Sequence, residues 1–379
     1  MDASLIVVAV VVTALVFDFT NGFHDTANAM ATSIATGAFG PRTAVAIAAC
    51  LNLVGAFLSV QVAKTISGGL VDEKLISPVV IFAGLVGAIL WNLVTWYLGL
   101  PSSSSHALFG GLIGATWVAA GVDAINFTAV LNKIILPAVL APAVAALIAA
   151  TVTYLALRVS ARAGPGRVDR GFQLGQRVSA SMLALAHGTN DAQKTMGVIT
   201  LTLITAGLLA PGSSPPPWVI LAAGSAIGLG TYMGGWRIIR TLGKRVSDLY
   251  PVQGFSAETT SAAVILTSTH LGLPLSTTQV CTGSIFGAGA GRRLAGVHWG
   301  VVGRIVLSWG FTLPSAAVVG AAASWLAATG TAGVIVVAVG GIATASGLYV
   351  ASRRNAITAA NVNDVPPPAQ TDVPADLAA

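Results

Sequence analysis

From Ile134 to Leu157 the chain carries no charged side chain. Such a stretch, coiled as a helix rising ~1.5 Å per residue, is long enough to cross ~30 Å of hydrocarbon. Comparable runs recur at Thr43 to Ala63, Val79 to Leu98 and Trp218 to Trp236. Hydrophobic residues make up 55% of the chain and charged residues 8%, with a mean hydropathy of +0.82. A soluble domain is about 25% charged, so water could not solvate this chain as a globule. The long runs lack period-two alternation, which excludes a membrane β-barrel. The fold class is therefore an all-α polytopic membrane protein, with roughly ten to twelve membrane segments. Its 43 glycines let helices approach closely where lipid offers no hydrophobic drive.

The net charge of +6 is no nucleic-acid footprint, because the basic residues gather in short loops. Arg158, Arg162, Arg167, Arg170 and Arg177 face a single acid, Asp169, and mark the strongest cytoplasmic loop. It divides the chain into a first half (1–157), a basic linker (158–177) and a second half (178–326). An additional membrane helix (327–350) and a disordered cytoplasmic tail (351–379) follow. Cys50 and Cys281 lie in apolar runs and are read as packing residues, with neither a disulfide nor a metal site predicted. The start lacks a basic n-region, so the first helix is expected to be retained.

Two polar stretches interrupt this hydrocarbon: N-G-F-H-D-T-A-N at Asn21 to Asn28 and H-G-T-N-D-A-Q-K at His187 to Lys194. Aligning Asp25 with Asp191 places Gly22 on Gly188, His24 on Asn190 and Asn28 on Lys194. A second pair, L-G-L-P-S-S-S-S-H and L-G-L-P-L-S-T-T-Q, sets Ser103, Ser104, Ser105 and His106 against Ser276, Thr277, Thr278 and Gln279. Gly110 and Gly114 then fall on Gly283 and Gly287. With both basic loops cytoplasmic, loop parity gives the halves opposite orientation and puts the N-terminus outside. That is an inverted-topology repeat with interrupted or re-entrant helices. The stretch from Val178 to Ala210 is too long for one straight span, and its break is expected at H-G-T-N-D. The first segment is likewise expected to end at Phe19, with a separate short piece from Ala29 to Phe39.

Of the 13 acidic residues only Asp18, Asp25, Asp191 and Glu258 fall at membrane depth. A carboxylate there coordinates a Na⁺ or takes up a proton, unless it serves only a cap or a structural ion pair. The hydroxyl-rich turns each begin a helix, where unpaired N–H groups and hydroxyls suit a small tetrahedral oxyanion. Plain N-capping would need one hydroxyl per helix, and three recur in both halves. Lys194 could hold Asp191 as a fixed cation. His24, His106 and His187 are either proton relays or satisfied buried imidazoles. Glu258 is either a helix-start acid or a second proton site.

Together the four motifs resemble the inorganic phosphate transporter (Pit) family, over Ser4 to Leu326. The resemblance implies a multi-pass plasma-membrane symporter, usually dimeric, that carries phosphate at low affinity with Na⁺ or H⁺ and needs no cofactor. It places Ser103, Ser104, Ser105, Ser276, Thr277, Thr278, Asn28 and Asn190 at the phosphate. It also places Asp25, Asp191 and Asn28 at the ion site and makes Glu258 functional, and the chemistry of Lys194, His24 and His187 adds these three to the ion-coupling set. Lys194 and His24 stand where Na⁺-coupled members carry Asn. Both look like the bacterial proton-coupled branch, which carries phosphate partly as a neutral metal–phosphate complex. Gln279 departs from the family's usual His. The alternatives are a Na⁺-coupled or sulfate-carrying relative and, more remotely, an intramembrane enzyme acting on phosphate esters. The sequence offers no nucleophile–base pair for the enzyme. A passive anion channel would not need two buried acids.

Overall fold

The computed structural model describes residues 3–68, 75–162, 165–292 and 296–364. The first half contributes α1 (Ala3–Ala35), α2 (Pro41–Gly55), α3 (Gln61–Ser67), α4 (Pro78–Leu98), α5 (Ser104–Ala120), α6 (Phe127–Val130) and α7 (Leu136–Ser160). The second contributes α8 (Pro165–Thr205), α9 (Pro217–Met233), α10 (Trp236–Arg240), α11 (Pro251–His270), α12 (Thr277–Arg292) and α13 (Trp299–Ala327), with α14 (Thr331–Arg353) last. Proline opens α2, α4, α9 and α11, where its missing N–H costs nothing. Gly99 and Gly272 follow α4 and α11 in the left-handed region, at φ of 66° and 69°. They turn the chain so that Leu100 and Leu273 donate back to Thr95 and Ser268. The two L-G-L-P motifs thus make the same turn.

Among the described residues, five helices are long and apolar enough to cross a membrane, and six if the pair Pro217–Met233 and Trp236–Arg245, bent by 60°, counts as one. Of the remaining helices, α2, α5 and α12 are shorter, and α8 and α11 carry polar site residues.

Helix pairing repeats between the halves. α1 packs on α9 as α8 packs on α2, α4 on α5 as α11 on α12, and α5 on α13 as α12 on α7. The closest approaches repeat too. A Cβ on Gly22 would strike the carbonyl of Ile227, and one on Gly188 that of Asn52. Gly110 and Gly114 lie against Leu313 and Ala317 just as Gly283 and Gly287 lie against Pro142 and Ala146. α1 and α8 run antiparallel. Thr36 and Ala38, at the end of α1, bond Gln176 and Arg177 near the start of α8, whereas Asp18 stands beside Thr195 further along it.

Four expectations need correction. α1 is one unbroken helix through Asn21 to Asn28, and α8 is one helix of 41 residues through His187 to Lys194. Most of their polar side chains find partners on other helices or on their own turn, as Thr26 does on Gly22, so the backbone need not unwind; the Asn21 amide is an exception. At about 60 Å, α8 exceeds the ~30 Å hydrocarbon core, and the surplus absorbs much of the basic linker as its first turns. The observed break lies instead at Gly234–Gly235. The tail is ordered as far as residue 364: Val362 is buried, Arg237 donates to Ser352 O and Asn355 O, and Arg240 donates to Asn361 O. Finally, Cys281 is buried but Cys50 is exposed. The acids Asp72 and Glu73, the base Arg293 and residues 365–379 lie outside the described residues.

The glycine contacts give a direct test of the packing. Gly22→Val and Gly188→Val should each destabilise the purified protein by ~2 kcal/mol or more, read as earlier thermal unfolding in detergent. Gly310→Ala, exposed on α13 with nothing near its Cβ position, should leave unfolding unchanged.

Candidate functional site

The two acids that sequence alignment pairs, one from each half, meet at the centre of the bundle. Ligand atoms of Asp25, Asp191 and His187 all lie within 4.8 Å of one another, and all three residues are buried. α1 supplies Asp25 and α8 supplies Asp191. The first turns of α5 and α12 supply the hydroxyls that face them. Ser104 Oγ donates to Asp25 Oδ2 at 2.6 Å, and its counterpart Thr277 donates to Asp191 Oδ2 at 3.0 Å.

Thr278 reaches across the halves, donating to Asp25 Oδ1 at 3.3 Å while its hydroxyl accepts from Asn28 Nδ2 at 3.0 Å. The counterpart of Thr278 is Ser105, whose buried hydroxyl has no partner. Ser103 and Ser276 do cap their helices, accepting the backbone N–H of His106 and Gln279 at 3.1 and 3.3 Å. One hydroxyl per turn is thus used as a cap, while Ser104, Thr277 and Thr278 bond the acids.

The positive side of the site is unequal. Lys194 Nζ donates to Asp191 Oδ1, and both side chains are fully buried. His187 Nε2 stands 3.2 Å from Asp191 Oδ2, held from behind by Asn52 Oδ1, 3.2 Å from its Nδ1. On the other half, His24 Nδ1 lies 2.6 Å from Asp25 Oδ1, and its Nε2 lies 3.1 Å from Thr95 Oγ1. Asn190, the counterpart of His24, turns the same way and donates to Thr269 on α11 at 2.7 Å. It faces α11 rather than the Asp25 hydroxyls, with its Oδ1 left unpartnered. Asn28 Oδ1 is also unpartnered. Buried orphan acceptors beside paired acids and hydroxyls are the polarity a ligand would complete.

Glu258 is not part of this cluster. It sits on α11 and accepts from Thr32 at 2.6 Å, Ser179 at 2.7 Å and Gln176 at 3.0 Å. It locks α1, α8 and α11 together. His106 faces Gln279 at 3.5 Å.

The chain matches the phosphate transporter family over residues 21–320. It belongs to that family. A Mycobacterium tuberculosis (strain ATCC 25618 / H37Rv) protein described as "Probable low-affinity inorganic phosphate transporter" is 54% identical over 361 residues, 93% of this chain and 86% of that protein. A Bacillus subtilis relative of the same description is 45% identical, over 86% of this chain and 98% of the relative. Among solved structures, "The sodium-dependent phosphate transporter" superposes with a TM-score of 0.76 at 25% identity, covering 85% of this chain and 98% of that one. The protein is accordingly a multi-pass membrane transporter of the phosphate family and not an enzyme.

Sequence reasoning missed the residues behind the site: Thr95, Asn52 and Thr269, which orient the two histidines and Asn190, and Thr32, Gln176 and Ser179, which hold Glu258. None carries a motif. They lie far along the chain from their partners, and only folding brings them there. Gln193 lies within the second polar motif. Its Oε1 accepts the N–H groups of Val62 and Ala63 at 2.8 and 3.2 Å, anchoring the start of α3.

Lys194 should matter for stability as much as for function. Lys194→Met leaves Asp191 buried with less compensation, and should cost ~3–5 kcal/mol by thermal or denaturant unfolding in detergent. The double variant Asp191→Asn/Lys194→Met should recover much of that loss.

Proposed function

We propose that this chain is a low-affinity inorganic phosphate symporter driven by the proton gradient, working by alternating access around the Asp25–Asp191 site. The observation that carries this reading is the meeting of two acids at a site lined with hydroxyls. With its histidines neutral, the site holds two carboxylates against one Lys194 and is net negative. An anion enters such a site only together with positive charge, and that requirement is symport expressed as electrostatics. The hydroxyls of Ser104, Ser105, Thr277 and Thr278 and the first N–H groups of α5 and α12 are the donors for phosphate oxygens. A phosphate oxygen that still bears its proton donates to Asp25 or Asp191. Sulfate, without such a proton, cannot satisfy that acceptor.

Protons are favoured over Na⁺ because the places a cation would take are already occupied. Lys194 covers one oxygen of Asp191, and His24 covers one of Asp25. A neutral metal–phosphate complex relieves the same charge conflict, and the acid lining favours it as a second form of the cargo.

The repeated helix pairing and the antiparallel α1 and α8 support an inverted repeat, with the two halves exchanging α7 and α13 as packing partners. The basic residues near α10 and at the end of α14 support a plasma-membrane orientation with the N-terminus outside.

Radiolabelled phosphate uptake into proteoliposomes under an imposed pH gradient tests this reading. Accumulation should follow the pH gradient without Na⁺, resist equimolar sulfate and be lost in Asp25→Asn. Accumulation driven by Na⁺ alone would overturn the proton assignment.

A further inference from the structure

Asp18 is a buried acid that no role described so far uses. It lies in α1 two helical turns before Asp25, as Thr32 lies two turns after it. Residues seven apart on a helix share a face and are spaced by ~10 Å. The interface of α1 with its neighbours therefore carries three acidic levels: Asp18, then Asp25 with Asp191, then Glu258 bound to Thr32.

The first level differs from the other two. Asp25 and Asp191 are surrounded by donors, and Glu258 accepts three hydrogen bonds. Asp18 is fully buried, and neither carboxylate oxygen has a hydrogen-bond partner. Its neighbours Asn21 and Thr195 stand beside it without closing a bond, and the Asn21 amide and the Thr195 hydroxyl are themselves buried and unpartnered. The charged groups facing it are Asp191 and Lys194, both from α8, and Lys194 is committed to Asp191. α4 and α9, which also pack on α1, carry no acidic or basic residue. Arg42 of α2 lies at the opposite end of α1.

An ionised carboxylate left in this position would have no cation of its own and only two neutral groups, the Asn21 amide and the Thr195 hydroxyl, to turn to, at a cost of several kcal/mol. One added proton removes the charge and also completes the bonding. The acid hydroxyl then donates to the Asn21 carbonyl or the Thr195 hydroxyl, and the remaining Asp18 oxygen accepts from Thr195. In the second half the counterpart of Asp18 is Ala184, so the level exists on one side of the repeat only.

We propose that Asp18, with Asn21 and Thr195, is a proton-binding site separate from the phosphate site, loaded from the side of the membrane that holds the N-terminus. Asp18 takes a proton from water on that side, crosses the transport step as the neutral acid and returns the proton to water on the other side. The inference rests on the proton-coupled reading above.

The test uses the full-length protein in proteoliposomes and two assays, phosphate accumulation under a pH gradient and phosphate/phosphate exchange without one. Asp18→Asn should lose pH-driven accumulation while exchanging phosphate at the wild-type rate, and Asp18→Glu should retain both. Infrared difference spectra should show the carbonyl band of a protonated acid in the wild type, sensitive to deuterium exchange and absent from Asp18→Asn. Accumulation that persists in Asp18→Asn, or exchange lost together with accumulation, overturns the site. Should Asp18→Asn not assemble, the pH profile of Asp18→Glu decides: a displaced midpoint supports the proposal, and an unchanged one overturns it. A wild type that ignores the pH gradient contradicts the proton-coupled function instead.

Discussion

A carboxylate cannot stay ionised in hydrocarbon unless something compensates it, and two carboxylates meet near the centre of this molecule. The remaining polar features of the site follow from that requirement. Asp191 is held by Lys194 and Thr277, with His187 beside it, and Asp25 by His24, Ser104 and Thr278. These partners come from α1, α8, α5 and α12, so satisfying the acids also fixes four helices against one another. The same satisfaction explains why α1 and α8 pass through their polar stretches unbroken. Side chains meet the polar need, and the backbone keeps its own hydrogen bonds.

The scaffold is built twice and filled differently. Ser104 and Thr277 perform the same act in each half, as do the caps Ser103 and Ser276. Against that background Lys194 answers Asn28, and His24 answers Asn190. Away from the centre the difference becomes complete: Glu258 and its three donors answer Leu85 at the aligned position, and Asp18 answers Ala184. The two-fold frame is thus shared, and its polar filling is not. The close glycine contacts pack the helices of this frame tightly against one another.

The class and the paired acids with their facing hydroxyls were legible in the sequence, because each is signalled by residues adjacent in the chain. Apolar length and basic loops need no tertiary information, and L-G-L-P followed by hydroxyls specifies a turn and a helix start locally. Helix continuity was not legible. A polar run in an apolar helix resembles a break until partners such as Thr95, Thr278 and Asn52 arrive from distant segments. The true break at Gly234–Gly235 lies at the end of an apolar span, where a loop would look the same. The ordered tail was hidden for a related reason. Arg237 and Arg240 read as loop charges, yet they hold the backbone of residues 352–361.

The central claim is that the two halves form one anion site between them. A double-mutant cycle on phosphate binding, measured by titration calorimetry on the purified protein with Ser104→Ala, Thr277→Ala and the double variant, tests this most directly. Hydroxyls that share one phosphate should couple by ~1 kcal/mol or more. Strictly additive losses, with the two substitutions acting on separate events, would contradict a shared site.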